Sequence, residues 1–531
     1  MPRHLTDLIP FRSFGRPLQA MVGIGMTVAL ACCTAVGTIP GGASLDSQSL
    51  DPAVLTIGYD RIGTIYLRER SLGEVTAEAL GGLSTLDNRV RADNTIESID
   101  LYADDRLIGR FQAPRGADAR AWANLTMDAV YRARTVSPTL QSASADAVYT
   151  AMFNAVTGGL DPYSRYLDPE RASRERSFRE GYGGIGLLLE YDDAGTAIIQ
   201  QVFPGGPADD ADVLAGDIIL AVDGMPVGDW ELSELGMRLR GPIDSTVSVT
   251  LLSTDGGVRI VDLVRAQVIP NTVEVTYRGP IAVIRINRFN ASTSRDLRHA
   301  VDEVEATLGG MPDGIVLDLR GNPGGLLGES VRVADLFIDG GEVIHTRGRH
   351  PDSFQYFDAD QRDIARGVPM VVLIDGRSAS GSEIVAAALQ DAGRAVVVGA
   401  SSFGKGSVQT VTRLPNGGEL FLTWSRIFAP SGYTLHQQGV LPTICTSTGL
   451  DSVDEVVDRF RSGRMPVPAG LGRLRIEAAD DPAALDALRD ACPWRAHDEQ
   501  LDEDVAVALL LDRLLFDRAL SASLAPTLAQ R

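Results

Sequence analysis

Residues 375–383 read Asp375-Gly376-Arg377-Ser378-Ala379-Ser380-Gly381-Ser382-Glu383, between an apolar run at 369–374 and a helical pattern at 381–392. A strand that turns directly into a helix is the repeating unit of parallel α/β sheets. The start of such a helix directs free N–H groups and the positive end of its dipole at the turn. The stretch therefore predicts a strand-to-helix junction that carries three serines.

Two interpretations compete for this turn. Ser380-x-x-Glu383 matches a capping box, in which the serine only begins the helix. The same geometry would aim a serine oxygen at N–H groups that can stabilise an oxyanion. The motif alone favours the cap.

The chain has a single lysine, Lys405, within Phe403-Gly404-Lys405-Gly406-Ser407-Val408-Gln409. A lysine acts as a general base only where burial lowers its pKa toward neutrality, and arginine does not deprotonate. One lysine among arginines therefore suggests a Ser380–Lys405 pair, with a solvated turn lysine as the alternative. The four-residue offset puts Gln409 on the same face as Lys405, where its amide would orient the amine unless it is a surface glutamine.

A second turn resembles the first in layout. Asp318-Leu319-Arg320-Gly321-Asn322-Pro323-Gly324-Gly325 follows an apolar run and opens a helical pattern. The backbone N–H of Gly324 or Gly325 would add a donor to an oxyanion hole, or the segment is an ordinary turn. No histidine lies in a recognisable triad context.

Residues 269–445 alternate strands and helices, which predicts parallel βαβ units. The expected buried strands are at 281–286, 314–319, 369–374 and 395–398, with helices at 294–308, 326–337 and 381–392. Residues 51–179 and 446–531 have mainly helical patterns, with a hairpin expected near 96–111.

Residues 180–268 contain short strands and tight turns instead. The loop Gly184-Ile185-Gly186-Leu187 opens a strand, and its unpaired N–H groups would hold a terminal carboxylate beside a sheet edge that accepts a peptide. An ordinary β-domain is the alternative.

The N-terminal segment predicts export. Three arginines precede an uncharged apolar run at about 20–36, so 1–37 is a cleaved signal or a membrane anchor, followed by a linker at 38–50. The net charge of −21 argues against a nucleic-acid partner. Export permits disulfides, and Cys445 and Cys492 are the candidate pair, with two buried thiols as the alternative.

These motifs, in this order, resemble those of the C-terminal processing peptidases, also called tail-specific proteases. The similarity spans about 145–445 and includes Leu160–Leu167, although Tyr163 stands where the family often has histidine, and Gly381 where it often has alanine. The resemblance implies an α/β fold: a crotonase-like protease core with an inserted β-rich PDZ domain and helical N- and C-terminal regions.

The resemblance also implies site roles. Ser380 matches the nucleophile, Lys405 its base and Gln409 the support of the lysine, while the N–H of Gly381, with that of Gly324 or Gly325, matches the oxyanion hole. No metal or organic cofactor is implied. The substrates would be exported proteins with free C-terminal tails, in the periplasm or at the outer face of the cytoplasmic membrane, with an adaptor protein as a further candidate partner. The rival hypothesis is a tail-binding scaffold that keeps the fold without catalysis.

Overall fold

A computed structural model describes residues 49–465 except 96 and 193, together with 475–478, 481–494 and 499–523. The expected leader at 1–37 and nearly all of the linker at 38–50 lie outside these residues. Within the described ranges, no helix combines the length and apolarity needed to cross a membrane.

The first region contains six helices and a small antiparallel sheet. Each helix begins after an Asp or Ser whose side chain accepts a backbone N–H, and these caps explain where the helices start. The helices are α1 (Pro52–Thr64), α2 (Leu72–Gly82), α3 (Ala119–Arg134), α4 (Pro138–Ser142), α5 (Ala145–Gly158) and α6 (Pro169–Glu180). The strands are β1 (Val90–Asn94), β2 (Ser98–Ala103) and β3 (Arg106–Gln112), with β4 (Arg165–Leu167) apart from them. The expected hairpin is found as β2 and β3.

The next region is a small β-rich domain with its own apolar core. Its main sheet has the order β11-β10-β8-β7-β6, with β9 beside β8, and β5 pairs separately with β12. The elements are β5 (Tyr182–Gly184), β6 (Leu187–Tyr191), β7 (Ala197–Val202), β8 (Ile218–Val222), β9 (Met225–Pro226), α7 (Leu232–Leu239), β10 (Thr246–Leu252), β11 (Val258–Val264) and β12 (Ala266–Val268).

The core contains the predicted parallel sheet, in the order β13-β14-β15-β18-β19-β22, in which only β13 pairs antiparallel. Its strands are β13 (Val273–Arg278), β14 (Ile281–Ile286), β15 (Gly314–Asp318), β18 (Met370–Ile374), β19 (Val396–Gly399) and β22 (Ile444–Cys445). Three helices, α8 (Thr293–Leu308), α9 (Leu327–Asp335) and α10 (Gly381–Asp391), join the same apolar cluster as one face of the sheet. Burial on both faces explains the unbroken apolar runs of the strands.

A second, antiparallel sheet was not predicted. Its order is β17-β16-β21-β20, and β4 from the first region pairs with β21. The strands are β16 (Gly341–Gly348), β17 (Gln355–Ala359), β20 (Ser407–Arg413) and β21 (Glu419–Phe428).

The C-terminal tail covers the other face of the parallel sheet. Its helices are α11 (Val453–Arg461), α12 (Pro482–Asp490), α13 (Glu499–Leu511) and α14 (Arg513–Ser523). Val505 and Leu509 of α13 pack in one cluster with Val316 and Val371 of the sheet. The tail is therefore part of the core's hydrophobic packing.

Cys445 at the end of β22 and Cys492 just beyond α12 form a disulfide, with their Cα atoms 5.8 Å apart. We expect this link in the mature protein, where closing a loop of this length contributes about 4 kcal/mol in the chain-entropy treatment. Mass spectrometry of protein purified and digested without reductant should find the two cysteine peptides joined, and separate after reduction. Two free thiols in the unreduced sample would contradict the prediction.

Candidate active site

The three serines of the β18–α10 turn have different surroundings. Ser378 is buried and its Oγ donates to the carbonyl of Leu319 at 2.8 Å. Ser382 is also buried and donates to the carbonyl of Asn322 at 2.8 Å. Ser380 lies between them and is partly exposed. Of the three, Ser380 is the serine that a substrate can reach.

Ser380 has an unusual backbone for a residue with a side chain. It is the N-cap of α10 with φ 55° and ψ −106°, a conformation that non-glycine residues rarely adopt. Its N–H donates to the Glu383 carboxylate at 2.6 Å, which is the backbone half of the expected capping box. The cap therefore helps to hold the serine in this conformation, and the two interpretations of the turn are compatible.

Lys405 lies in the loop between β19 and β20, with its Nζ 5.4 Å from the centre of the Tyr163 ring. Burial lowers the pKa of Lys405, nearby Arg165 and Arg288 lower it further, and the Glu383 carboxylate opposes them. Within the described part of the chain, the side chain of Lys405 forms no ion pair or hydrogen bond. These surroundings favour the neutral amine that a general base requires.

The two loops meet at Glu383, which is completely buried. Its Oε2 accepts from the backbone N–H of both Ser380, at 2.6 Å, and Lys405, at 2.9 Å. Its Oε1 accepts from Ser402 Oγ and from the N–H of Gly404, each at 2.6 Å. Burial raises the pKa of Glu383, while the four donors oppose that rise.

Sequence analysis gave Glu383 only a capping role. Its carboxylate in fact bridges the two loops that carry Ser380 and Lys405. The available signal was an acidic residue directly before the apolar helical run at 384–389. In the described residues no hydrogen bond joins Ser380 Oγ to Lys405 Nζ. Such bonds are often long in unliganded enzymes.

Among the hydrogen bonds of the described residues, none joins Gln409 to Lys405. Its Nε2 donates to Ser407 Oγ at 2.9 Å and to Thr423 Oγ1 at 3.3 Å. Strand β20 begins at Ser407, so Lys405 lies before the strand. The alternation of side chains along a strand therefore does not place Lys405 and Gln409 on the same face.

The glycine turn at 321–325 lies against Ser380. A Cβ on Gly324 would be 2.8 Å from both Ser380 Cβ and the Gly381 nitrogen, so only glycine permits this approach. The Gly324 N–H already donates to Asn322 Oδ1 at 2.8 Å. The N–H groups of Gly381 and Gly325 have no acceptor among the described residues. These two groups are therefore better candidates than the Gly324 N–H for donors to an oxyanion.

The β-rich domain has a groove of about 280 Å³ between β6 and α7. Leu187, Leu189 and Phe203 are among its apolar lining residues, and the loop Gly184-Ile185-Gly186 also lines it. The carbonyls of Ile185 and Gly186 accept from Ala208 and Phe203, each at 2.9 Å. Their own N–H groups find no acceptor in the described ranges.

Comparison with known proteins agrees with this architecture. Residues 280–446 match Peptidase family S41, and residues 198–253 match the PDZ domain. The carboxy-terminal-processing protease of Bartonella bacilliformis is 37% identical over 301 residues, which cover 55% of this chain and 68% of that protein. The chain belongs to the carboxy-terminal-processing proteases of peptidase family S41.

Other carboxyl-terminal-processing proteases are also similar to this chain. The carboxyl-terminal-processing protease of Picosynechococcus is 33% identical over 305 residues, covering 56% of this chain and 72% of that protein. The solved photosystem II D1 C-terminal processing protease shares 25% identity, with a TM-score of 0.37, covering 74% of this chain and 92% of that one. The family-model matches and the fold together identify this chain as a mixed α/β protein with an S41 protease core and a PDZ domain.

Arg165 is the less neutralised of the two cations near the protease's lysine. Its guanidinium stacks on the Phe421 ring at 3.9 Å and, among the described side chains, pairs with no carboxylate. Arg288, in contrast, forms an ion pair with Glu175 at 3.0 Å. Arg165 therefore contributes a positive charge near Lys405 that no direct ion pair among the described side chains neutralises, while Glu175 and Glu419 attract it only at longer range.

We expect Arg165→Gln to raise the pKa of Lys405, because repulsion between two cations disfavours the protonated lysine. The acid limb of the kcat/KM profile should move to higher pH, so that activity falls near neutrality and recovers in more alkaline buffer. The control is Arg174→Gln, which removes an exposed arginine paired with Glu170. A limb that stays in place, or moves to lower pH, would contradict this electrostatic role.

Proposed function

We propose that this protease is an endopeptidase that cleaves exported proteins near their C-termini through a Ser380–Lys405 acyl-enzyme mechanism. The observation that carries the proposal is the Glu383 carboxylate, which holds the backbone of the serine and that of the lysine on one oxygen atom. A partly buried lysine without an acidic partner supplies the base that such a serine needs.

The proposed reaction has two halves. The neutral amine of Lys405 takes the proton of Ser380 Oγ as that oxygen attacks the scissile carbonyl carbon. The N–H groups of Gly381 and Gly325 stabilise the oxyanion, and protonated Lys405 returns the proton to the leaving amine. Lys405 then deprotonates a water molecule, which attacks the ester carbonyl. The bond from the acyl carbon to Ser380 Oγ breaks, Lys405 returns the proton to that oxygen, and the substrate's N-terminal part leaves as a carboxylic acid.

Gln409 has a less direct place in this scheme. The family resemblance implies that Gln409 supports Lys405. In this structure its amide instead donates hydrogen bonds to Ser407 and Thr423 of the second sheet. We propose that it supports the lysine through the strand that follows the Lys405 loop.

The PDZ groove would select the substrate. Free N–H groups at Ile185 and Gly186 suit a terminal carboxylate, and the apolar walls suit the preceding side chains. Export is supported by the expected leader, and the disulfide is consistent with an oxidising compartment such as the periplasm. An adaptor protein and a membrane anchor remain part of this proposal.

Loss of either catalytic group should abolish cleavage. We expect Lys405→Arg and Ser380→Ala to fold normally and to lose activity by about three or more orders of magnitude on a reporter peptide with a free carboxyl end. Arginine keeps the positive charge but cannot accept the proton. Near-normal turnover by Lys405→Arg would eliminate the Ser–Lys mechanism. Activity that is absent from the unmodified protein as well would favour the rival, a tail-binding scaffold.

The neighbouring serines are matched controls. Ser378→Ala and Ser382→Ala each remove a buried hydrogen bond to a backbone carbonyl, worth about 1 kcal/mol of stability. Both variants should retain measurable peptidase activity, because neither oxygen faces the substrate.

Recognition of the tail should depend on its charge. We expect amidation of a peptide's C-terminus to lower kcat/KM at least several-fold without changing the cleaved bond, because charge-assisted bonds to the loop are lost. Gly186→Val should reduce the difference between free-acid and amide peptides by blocking the loop. Equal kcat/KM values for both peptides with the unmodified enzyme would exclude the carboxylate from recognition.

Gly224→Val is the matched control for this test. Gly186 has φ +80° and Gly224 has φ +75°, so valine strains the backbone similarly at both positions. Gly224 has open space around it and does not line the groove. This variant should keep the full preference for the free acid.

A further inference from the structure

The tail beyond the S41 match contacts the loops that carry both proposed catalytic residues. On the serine side, the Trp494 ring covers Gly376 so closely that a Cβ there would lie 2.0 Å from Trp494 Cγ. Glu499 also pairs with Arg377 at 2.5 Å. Both contacts reach the turn that leads to Ser380.

On the lysine side, the contact is made by Arg489 near the end of α12. Its Nη1 donates to the carbonyls of Gln437, at 2.8 Å, and Phe403, at 3.2 Å. Its Nη2 donates to the carbonyl of Ser402 at 3.4 Å. One guanidinium therefore binds two consecutive carbonyls, those of Ser402 and Phe403, in the loop that carries Lys405.

Two side chains of opposite charge thus bind the Lys405 loop, one to its donor groups and the other to its carbonyls. Glu383 accepts its N–H and O–H groups at Ser402, Gly404 and Lys405, whereas Arg489 donates to its carbonyls. The loop has no regular secondary structure between the end of β19 and the start of β20. Backbone bonds to neighbouring segments hold part of it: the N–H groups of Ser402 and Phe403 donate to the carbonyls of Val440, at 3.1 Å, and Ser378, at 3.0 Å. The Gly404 carbonyl also accepts from the Gln437 N–H at 2.9 Å. The contacts from Glu383 and Arg489 add to these bonds where the loop approaches Lys405.

The disulfide fixes the element that carries Arg489. Helix α12 has nine residues, of which only Leu485 is buried, and so short a helix has little stability of its own. Cys492, three residues after Arg489, is bonded to Cys445 of β22. The Cys492 carbonyl also accepts from Ser401 N at 3.1 Å and Ser401 Oγ at 2.5 Å, just before the loop.

We propose that Arg489 is a positioning residue for Lys405, held on the lysine loop by the Cys445–Cys492 disulfide. With the disulfide formed, the C-terminal tail supports the active site. Reduction of the disulfide then lowers catalytic activity, because Arg489 is no longer held against the Lys405 loop. This inference rests on the proposed Ser380–Lys405 function, and it concerns a residue outside the matched S41 region.

Arg489→Ala should lower kcat about 10- to 100-fold, the effect expected from a displacement of the base by about 1 Å, while KM changes only a few-fold. Millimolar guanidinium chloride should restore part of the kcat of this variant, with equal sodium chloride as the salt control. Arg489→Lys should have intermediate kcat, because an ammonium cannot reproduce the planar fork. Arg461→Ala, which removes a tail arginine paired with Asp512 at 3.0 Å, should leave kcat unchanged.

Removing the disulfide provides a second, independent test of the proposal. The double variant Cys445→Ser, Cys492→Ser should lower kcat in the same direction as Arg489→Ala. Combining all three changes should lower kcat little further, because both act through one contact. Fully additive losses would show that the disulfide acts elsewhere and would overturn the link between it and Arg489.

The outcomes separate this inference from the proposed function. If Ser380→Ala and Lys405→Arg remain active, the dyad itself is wrong. If those variants are inactive while Arg489→Ala has normal kcat, or a reduced kcat that guanidinium does not restore, the positioning role is wrong. If Arg489→Ala does not fold, Arg489→Lys decides: normal kcat in that variant would overturn the proposal.

Discussion

The buried carboxylate of Glu383 is the interaction on which the rest of the site depends. It accepts four hydrogen bonds, from the serine turn on one side and the lysine loop on the other. A buried charge that loses its donors costs several kcal/mol, so neither loop can move away without a large penalty. The same group that begins helix α10 therefore fixes the backbone of Ser380 relative to that of Lys405.

The parallel sheet gives this carboxylate a rigid base. Helix α10 follows β18 and the Lys405 loop follows β19, so both loops leave the carboxyl ends of adjacent strands, where α/β sheets usually bind ligands. Helices α8 to α10 cover one face and tail helix α13 the other. Because the tail is needed to bury the sheet, it lies close enough to contact both loops. Packing and active-site support are thus provided by the same segment.

Local charge near the lysine differs from the charge of the whole chain. The protein carries a net −21, yet Lys405 has Arg165 and Arg288 as neighbours, and both lower its pKa. Burial acts in the same direction. Glu383 alone among these groups raises the pKa of Lys405, and its carboxylate already accepts four other hydrogen bonds. The site can therefore hold a neutral amine without an acidic partner, which is what the proposed mechanism requires of a lysine that acts as the general base.

The sequence by itself determined the features that depend on neighbours along the chain. Apolar runs and helical patterns located the strands and helices of the parallel sheet, since local spacing carries that information. Residue type alone made the solitary Lys405 the candidate for the base proposed here. The tertiary structure decided what depends on contacts between distant segments. It paired the antiparallel strands of the second sheet, turned Gln409 toward Thr423, and brought Glu383 and Arg489 to the same loop. Strand partners and side-chain hydrogen bonds across long separations leave no periodic signal in a single sequence, because they are selected only when the chain is packed.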